Sequence, residues 1–103
     1  MRTRNMKLLN YGIDKEEEKR LRTMAKEEEN AALVRVAAEE SNQGIADVLF
    51  ASLTSGKGFR SLPEELWMVG EDDFYAYRRR ALYIFKILLR GRETENMSGN
   101  HKW

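Results

Sequence analysis

Cysteine is absent from this chain of 103 residues, and proline and histidine each occur only once. Without cysteine there is no disulfide framework, no thiolate zinc site and no thiol nucleophile. The scarcity of proline, together with frequent Ala, Glu, Lys, Leu and Arg, favours helices over a loop-rich or all-β fold. The predicted fold class is therefore all-α, in a single domain.

Long hydrophobic runs are also missing, and the most apolar window, residues 81–89, is interrupted by Lys86. The N-terminal bases Arg2, Arg4 and Lys7 are not followed by the apolar segment that a signal peptide requires. We therefore expect a cytoplasmic protein with no membrane partner.

Net charge is low, because 18 Lys and Arg residues face 17 Asp and Glu residues, which leaves +1. This balance excludes a chain that is basic throughout, the simplest kind of nucleic-acid-binding protein. The charges are nevertheless segregated along the sequence. Acids occur in short blocks, whereas residues 74–92 contain six bases and no acid.

Local signals predict a compact bundle of four to five helices within residues 1–92, followed by a flexible tail at residues 93–103. Asp14, Asn30 and Asn42 are predicted N-caps, because short polar side chains accept hydrogen bonds from first-turn amides. Gly56 and Gly91 are predicted to end helices. The main predicted helices are residues 15–28, 31–40, 44–54 and 73–90, and shorter helical segments are predicted at residues 6–10 and 62–69.

The helix predicted from about Asp73 to Arg90 should form the centre of the bundle. Its apolar residues form a stripe at near-heptad spacing, which is typical of a helix packed on several neighbours. The stripe consists of Phe74, Tyr77, Ala81, Ile84, Phe85 and Leu88. Tyr83 and Ile87 extend the apolar surface and are candidates for contact with a partner or a second copy.

Enzymatic chemistry fits the sequence poorly. The only histidine is His101 in the predicted tail, and no nucleotide-binding, zinc-protease or nucleophile-elbow motif is present. Residues 55–58, Ser-Gly-Lys-Gly, resemble part of a phosphate loop but follow a predicted helix rather than a strand. A di-metal bundle needs histidines at fixed spacing from the acids, and the chain has none there. We expect no catalytic residue, metal or cofactor.

The basic run in the last helix is the strongest functional signal. Helical spacing puts Arg79, Tyr83, Lys86 and Arg90 at offsets of 0, 4, 7 and 11, on one face that we expect to be exposed. Such a strip can contact phosphates and sugars, with the N-terminal bases as an added arm. The alternative is a solvated face whose arginines pair with acids of the first helix. The predicted nucleic-acid contacts are Arg78, Arg79, Arg80, Tyr83, Lys86 and Arg90.

A helix-turn-helix outline surrounds this run, with a short helix at residues 62–69, a turn at Gly70 and the long helix after it. Residues 73–82, DFYAYRRRAL, resemble a stretch in the C-terminal helix-turn-helix of phage-encoded late-transcription activators of the RinA/ArpU type. They are also similar to short proteins carried by phages and integrated elements of Gram-positive bacteria. The resemblance implies a mobile-element origin and a role near DNA or transcription, and it assigns no base-contacting residue.

The leading hypothesis is a non-enzymatic phage or mobile-element accessory protein that binds nucleic acid, with DNA as the partner, and is associated with transcription. The alternative is a protein-interaction module that acts on a host protein, with Trp67 and Met68 as anchors or with its Glu runs as a mimic of nucleic acid. A third hypothesis is a structural homodimer joined along the last helix.

Overall fold

The computed structural model describes the backbone of residues 6–100 and the side chains of residues 6–92. Within that range the protein is all-α and contains no strand, which confirms the predicted fold class. The four α-helices are α1 (Lys15–Ala25), α2 (Ala31–Ser41), α3 (Ala46–Ser55) and α4 (Glu71–Asn100). Single 3-10 turns lie between or before them, at Leu8–Tyr11, Glu28–Asn30, Gln43–Ile45, Phe59–Ser61 and Glu64–Leu66.

The long helix α4 contacts all three other α-helices, as its apolar stripe predicts. Phe74, Ala81 and Phe85 are completely buried. Residues near the start of α4 pack on α3 and the 59–62 segment, whereas its middle packs on α1, α2 and the N-terminal turn. Because each of these elements buries its apolar side against α4, the fold has one hub rather than two independent layers.

The predicted N-caps behave differently from one another. Asp14 caps α1 as predicted, since its Oδ1 accepts a hydrogen bond from the Glu17 amide at 2.8 Å. Asn42 accepts from the Gly44 amide at 3.0 Å, so it caps the 3-10 turn that leads into α3. Asn30 does not cap α2, and the prediction for it is wrong. Its buried side chain instead links two distant segments of the chain.

The two glycines predicted to end helices also differ. Gly56 has a φ of 78° and ends α3, because glycine reaches the left-handed region without strain. Gly91 does not end α4, which continues to Asn100 through part of the predicted tail. One glycine inside a helix costs only about 1 kcal/mol, which the neighbouring helix-forming residues offset. The remaining tail residues, 101–103, lie outside the described residues.

The prediction of a short helix at residues 62–69 is wrong, because only a 3-10 turn at Glu64–Leu66 forms there. Pro63 has a φ of −56° and a ψ of 138°, which is an extended conformation that opens the turn. A single turn cannot present a first helix against a second one, so this segment is not the first half of a helix-turn-helix. Its role is packing: Phe59 and Leu62 are buried with Phe74 of α4.

Candidate nucleic-acid interface

The basic residues of α4 are largely engaged by other parts of the chain. Lys86 is buried, and its ammonium lies 2.8 Å from a carboxylate oxygen of Glu17 on α1. It also donates to the carbonyl of Gly12 at 3.4 Å. The prediction that Lys86 is exposed for phosphates is therefore wrong, because the first turn of α1 covers it.

The N-terminal turn covers two more members of the predicted strip. Arg79 donates from Nε to the carbonyl of Met6 at 2.8 Å, and Tyr83 stacks on Tyr11 with ring centroids 4.8 Å apart. Burial raises the pKa of the Tyr11 hydroxyl, and this effect outweighs the opposing influence of Arg80. The face of α4 that carries Arg79, Tyr83, Lys86 and Arg90 is thus a packing face, and of these four residues only Arg90 is exposed.

Arg78 is half-buried in the interior of the bundle. Its Nη1 donates to Ser52 Oγ on α3 at 3.1 Å, and its guanidinium lies 4.8 Å from the centre of the Tyr75 ring. Burial, followed by the nearby positive charge of Arg22, lowers the pKa of Arg78 to about 10. The protonated form of Arg78 is therefore less favourable in the folded protein than in water, and it lies near a second cation, Arg22.

A different basic surface lies on α1, and the sequence reasoning passed over it. The row consists of Lys15, Lys19 and Arg22 of α1 and of Lys26, which directly follows the last residue of the helix. The four residues are at offsets of 0, 4, 7 and 11, and all are exposed. We call this row the α1 strip. Its spacing is the same as that of the predicted strip on α4, so the pattern of a basic helix face was present in the sequence of α1 as well. Three glutamates at residues 16–18 interrupt the row in the sequence, whereas the basic run of α4 contains no acid.

An open groove of about 470 Å³ runs along the α1 strip, bordered by its four cations together with Glu18 and Thr23. Glu18 pairs with Arg22 at 3.4 Å. The Thr23 hydroxyl donates to the carbonyl of Lys19 at 3.0 Å. The groove consequently presents mainly ammonium and guanidinium groups, which suit phosphate oxygens.

The predicted partner-binding residues Trp67 and Met68 are both exposed, at 36% and 69%, but Trp67 also packs on the protein. The Trp67 ring stacks on Phe59 at 4.6 Å, and its Nε1 donates to the carbonyl of Leu62 at 3.1 Å. Met68 is 69% exposed and leaves its side chain on the surface. Trp67 therefore already has a structural role in closing the 59–67 segment.

Three residues considered in the sequence analysis fall outside the described part of the chain. Arg2, Arg4 and His101 lie outside the described residues. Among residues 6–92, no cluster of carboxylates and histidines is arranged to hold a metal ion. None of the described helices combines the length and the apolar character needed to cross a membrane.

Comparison with known proteins identifies no relative of this chain. No protein-family model matches it, and neither does any curated protein or any solved structure.

Proposed function

We propose that this protein binds nucleic acid through the sugar-phosphate backbone along the α1 strip, as a transcription-associated accessory protein of a phage or mobile element. The observation that supports binding is the row of four exposed cations beside one open groove. The transcriptional context is supported by the sequence resemblance at residues 73–82.

The dimensions of the strip suit a nucleic-acid backbone. Lys26 is eleven positions after Lys15, which corresponds to about 16 Å along the helix axis. That is the rise of about five base pairs of duplex. Asn and Gln, which read adenine, do not line the groove, and the side chain best suited to read guanine, Arg22, is paired with Glu18 at 3.4 Å. We therefore expect binding with little dependence on base sequence.

The α4 residues first predicted as contacts take different parts in this proposal. Arg78 and Arg79 line a cavity that adjoins the strip, so their charges reinforce its positive potential. Lys86 is held by Glu17 and contributes to the fold rather than to the interface. Binding is thus assigned to α1, with α4 as its support.

The test is titration of fluorescent duplex DNA, single-stranded DNA and RNA at several salt concentrations. Exchanging Lys15 and Lys19 together for alanine should weaken binding and flatten the slope of log K against log salt by about two. The matched control exchanges Lys57 and Arg60, two exposed cations off the strip, and should leave the slope unchanged. The proposal fails if no nucleic acid binds at low salt, or if both double variants lose affinity equally. A larger loss of nucleic-acid affinity in Arg90→Ala than in the Lys15 and Lys19 double variant would indicate that the interface lies on α4 instead.

A further inference from the structure

Two adjoining cavities lie beneath the α1 strip, between α1, α3 and α4, with volumes of about 60 and 130 Å³. Arg22, Leu53 and Arg78 line both of them. Lys26 and Gly56 border the smaller cavity, which we call the Arg78 cavity. At about 60 Å³ it has room for a few water molecules, and hence for one small polar group.

The lining of these cavities is strongly cationic. Four cationic side chains line the two cavities: Arg22, Lys26, Arg78 and Arg79. Glu18 is the one carboxylate among the lining residues. Glu18 pairs with Arg22, whereas Arg78 has no carboxylate within ion-pair distance among the described residues. Burial and the charge of Arg22 disfavour the protonated form of Arg78 and lower its pKa, against the smaller opposing influence of Tyr75 and Glu18. An anion beside these groups would remove that cost.

Arg78 is held in place without a ligand. Ser52 Oγ donates to the carbonyl of Lys57 at 2.7 Å while it accepts from Arg78, which connects this guanidinium to the 56–58 loop. At Gly56, a Cβ would lie 2.8 Å from Cε of Lys26. The absence of a side chain at Gly56 therefore allows Lys26 to lie across the end of α3, beside the cavity.

We propose that the Arg78 cavity binds a single phosphate group, either inorganic phosphate or a terminal phosphomonoester. Guanidinium forks match the oxygens of a tetrahedral oxyanion, and a dianion suits a lining with several excess positive charges. A base or sugar is too large for the cavity, so only a protruding phosphate reaches Arg78. The proposal does not depend on nucleic-acid binding along the α1 strip, because it requires one phosphate group only.

Thermal unfolding in sodium phosphate, compared with sodium chloride of equal ionic strength, tests this site. At ten times Kd the wild-type midpoint should rise by about 5 °C or more. Arg78→Gln should lose that rise, and Lys57→Gln should keep it, because Lys57 is exposed and its side chain lines neither cavity. The general stabilising effect of phosphate acts equally on all three proteins and cancels in the comparison.

Two further measurements keep the test decisive if Arg78→Gln folds poorly. Lys26→Gln, at an exposed position, should weaken phosphate binding at least threefold. In the wild type, phosphate should shift the NMR signals of the Arg78 side chain and of the Gly56 and Lys57 amides. Equal phosphate effects in the wild type, Lys26→Gln and Lys57→Gln, without those signal shifts, would overturn the proposal.

The source of the phosphate is distinguished with two oligonucleotides of one sequence, one with a 5′-phosphate and one with a 5′-hydroxyl. Tighter binding of the phosphorylated strand, lost in Arg78→Gln, would identify a strand end as the ligand. Equal binding of both strands, together with Arg78-dependent stabilisation by inorganic phosphate, would identify the free ion. If the wild type binds neither oligonucleotide but is still stabilised by inorganic phosphate, the proposed function is contradicted and the phosphate site is supported.

Discussion

The ammonium of Lys86 lies 2.8 Å from a carboxylate oxygen of Glu17, and this ion pair joins the middle of α4 to the first turn of α1. The Lys86 side chain is only 10% exposed, and that of Glu17 is 23% exposed. An ion pair at this depth is sensitive to which partner is removed, because a charge left alone inside the protein is more costly than one left near water.

Glu17→Ala should destabilise the protein by about 2 kcal/mol, because it leaves the Lys86 ammonium with only the Gly12 carbonyl at 3.4 Å. Lys86→Met should cost less, about 1 kcal/mol, since Met fills the apolar part of the site. Glu17 then keeps partial exposure and Arg20 at 3.6 Å. Urea unfolding of both single variants and the double variant measures the coupling between the two residues.

The matched control is Asp47→Ala, which removes an exposed ion pair with Arg35 and should cost no more than about 1 kcal/mol. A larger cost for Lys86→Met than for Glu17→Ala would contradict the assignment of Lys86 as a buried charge that depends on Glu17.

Asn30 should behave as a link between segments rather than as a helix cap. It is 1% exposed, donates to the carbonyl of Met24 at 2.9 Å and accepts from Arg92 Nη2 at 2.8 Å. Asn30→Ser retains a good capping residue but cannot make both contacts. We expect it to cost about 1–3 kcal/mol in unfolding free energy, because buried polar groups lose their partners.

Asn42 provides the comparison, because it does cap a turn and is only half-buried. Asn42→Ser should cost a few tenths of a kcal/mol, since Ser replaces Asn well at a cap. Equal costs for the two Ser variants in urea unfolding would mean that Asn30 acts as an ordinary cap.

Stability at alkaline pH should depend on Arg78 in a defined direction. Its pKa is lowered to about 10 in the folded protein, well below the ordinary value of arginine, so above pH 10 the unfolded chain holds this proton more firmly. The unfavourable contribution of Arg78 is complete at neutral pH and declines as pH rises through 10. Between pH 9 and 11 the wild type should therefore gain stability relative to Arg78→Met, by no more than about 1.4 kcal/mol per pH unit.

Arg60→Met serves as the control for this experiment. Its hydrogen bond to Glu71 raises the pKa of Arg60, so its titration lies above the window. The difference between the wild type and Arg60→Met should stay constant from pH 9 to 11. A constant difference for Arg78→Met as well would show that the folded protein does not disfavour this charge.

Local features of the sequence determined the all-α class, the N-cap of α1 at Asp14 and the C-cap of α3 at Gly56. They also identified α4 as the hub. Each of these follows from short-range chemistry: a carboxylate that accepts from a nearby amide, a glycine that reaches positive φ, or an apolar stripe with helical period. Gly91 and residues 62–69 show the limit of such signals, because helix ends and single turns depend on small energy differences that packing decides.

Which charges face water was decided only by the tertiary structure. Helical periodicity shows that Arg79, Tyr83, Lys86 and Arg90 share a face of α4, but it carries no information about the N-terminal turn and α1 that pack on that face. The same spacing on α1 remains open because nothing among the described residues packs over it as a further layer. Long-range contacts between residues 6–17 and 79–86 thus convert a basic run on α4 into a packing face. The exposed row of cations lies instead on α1, the helix that covers this face of α4.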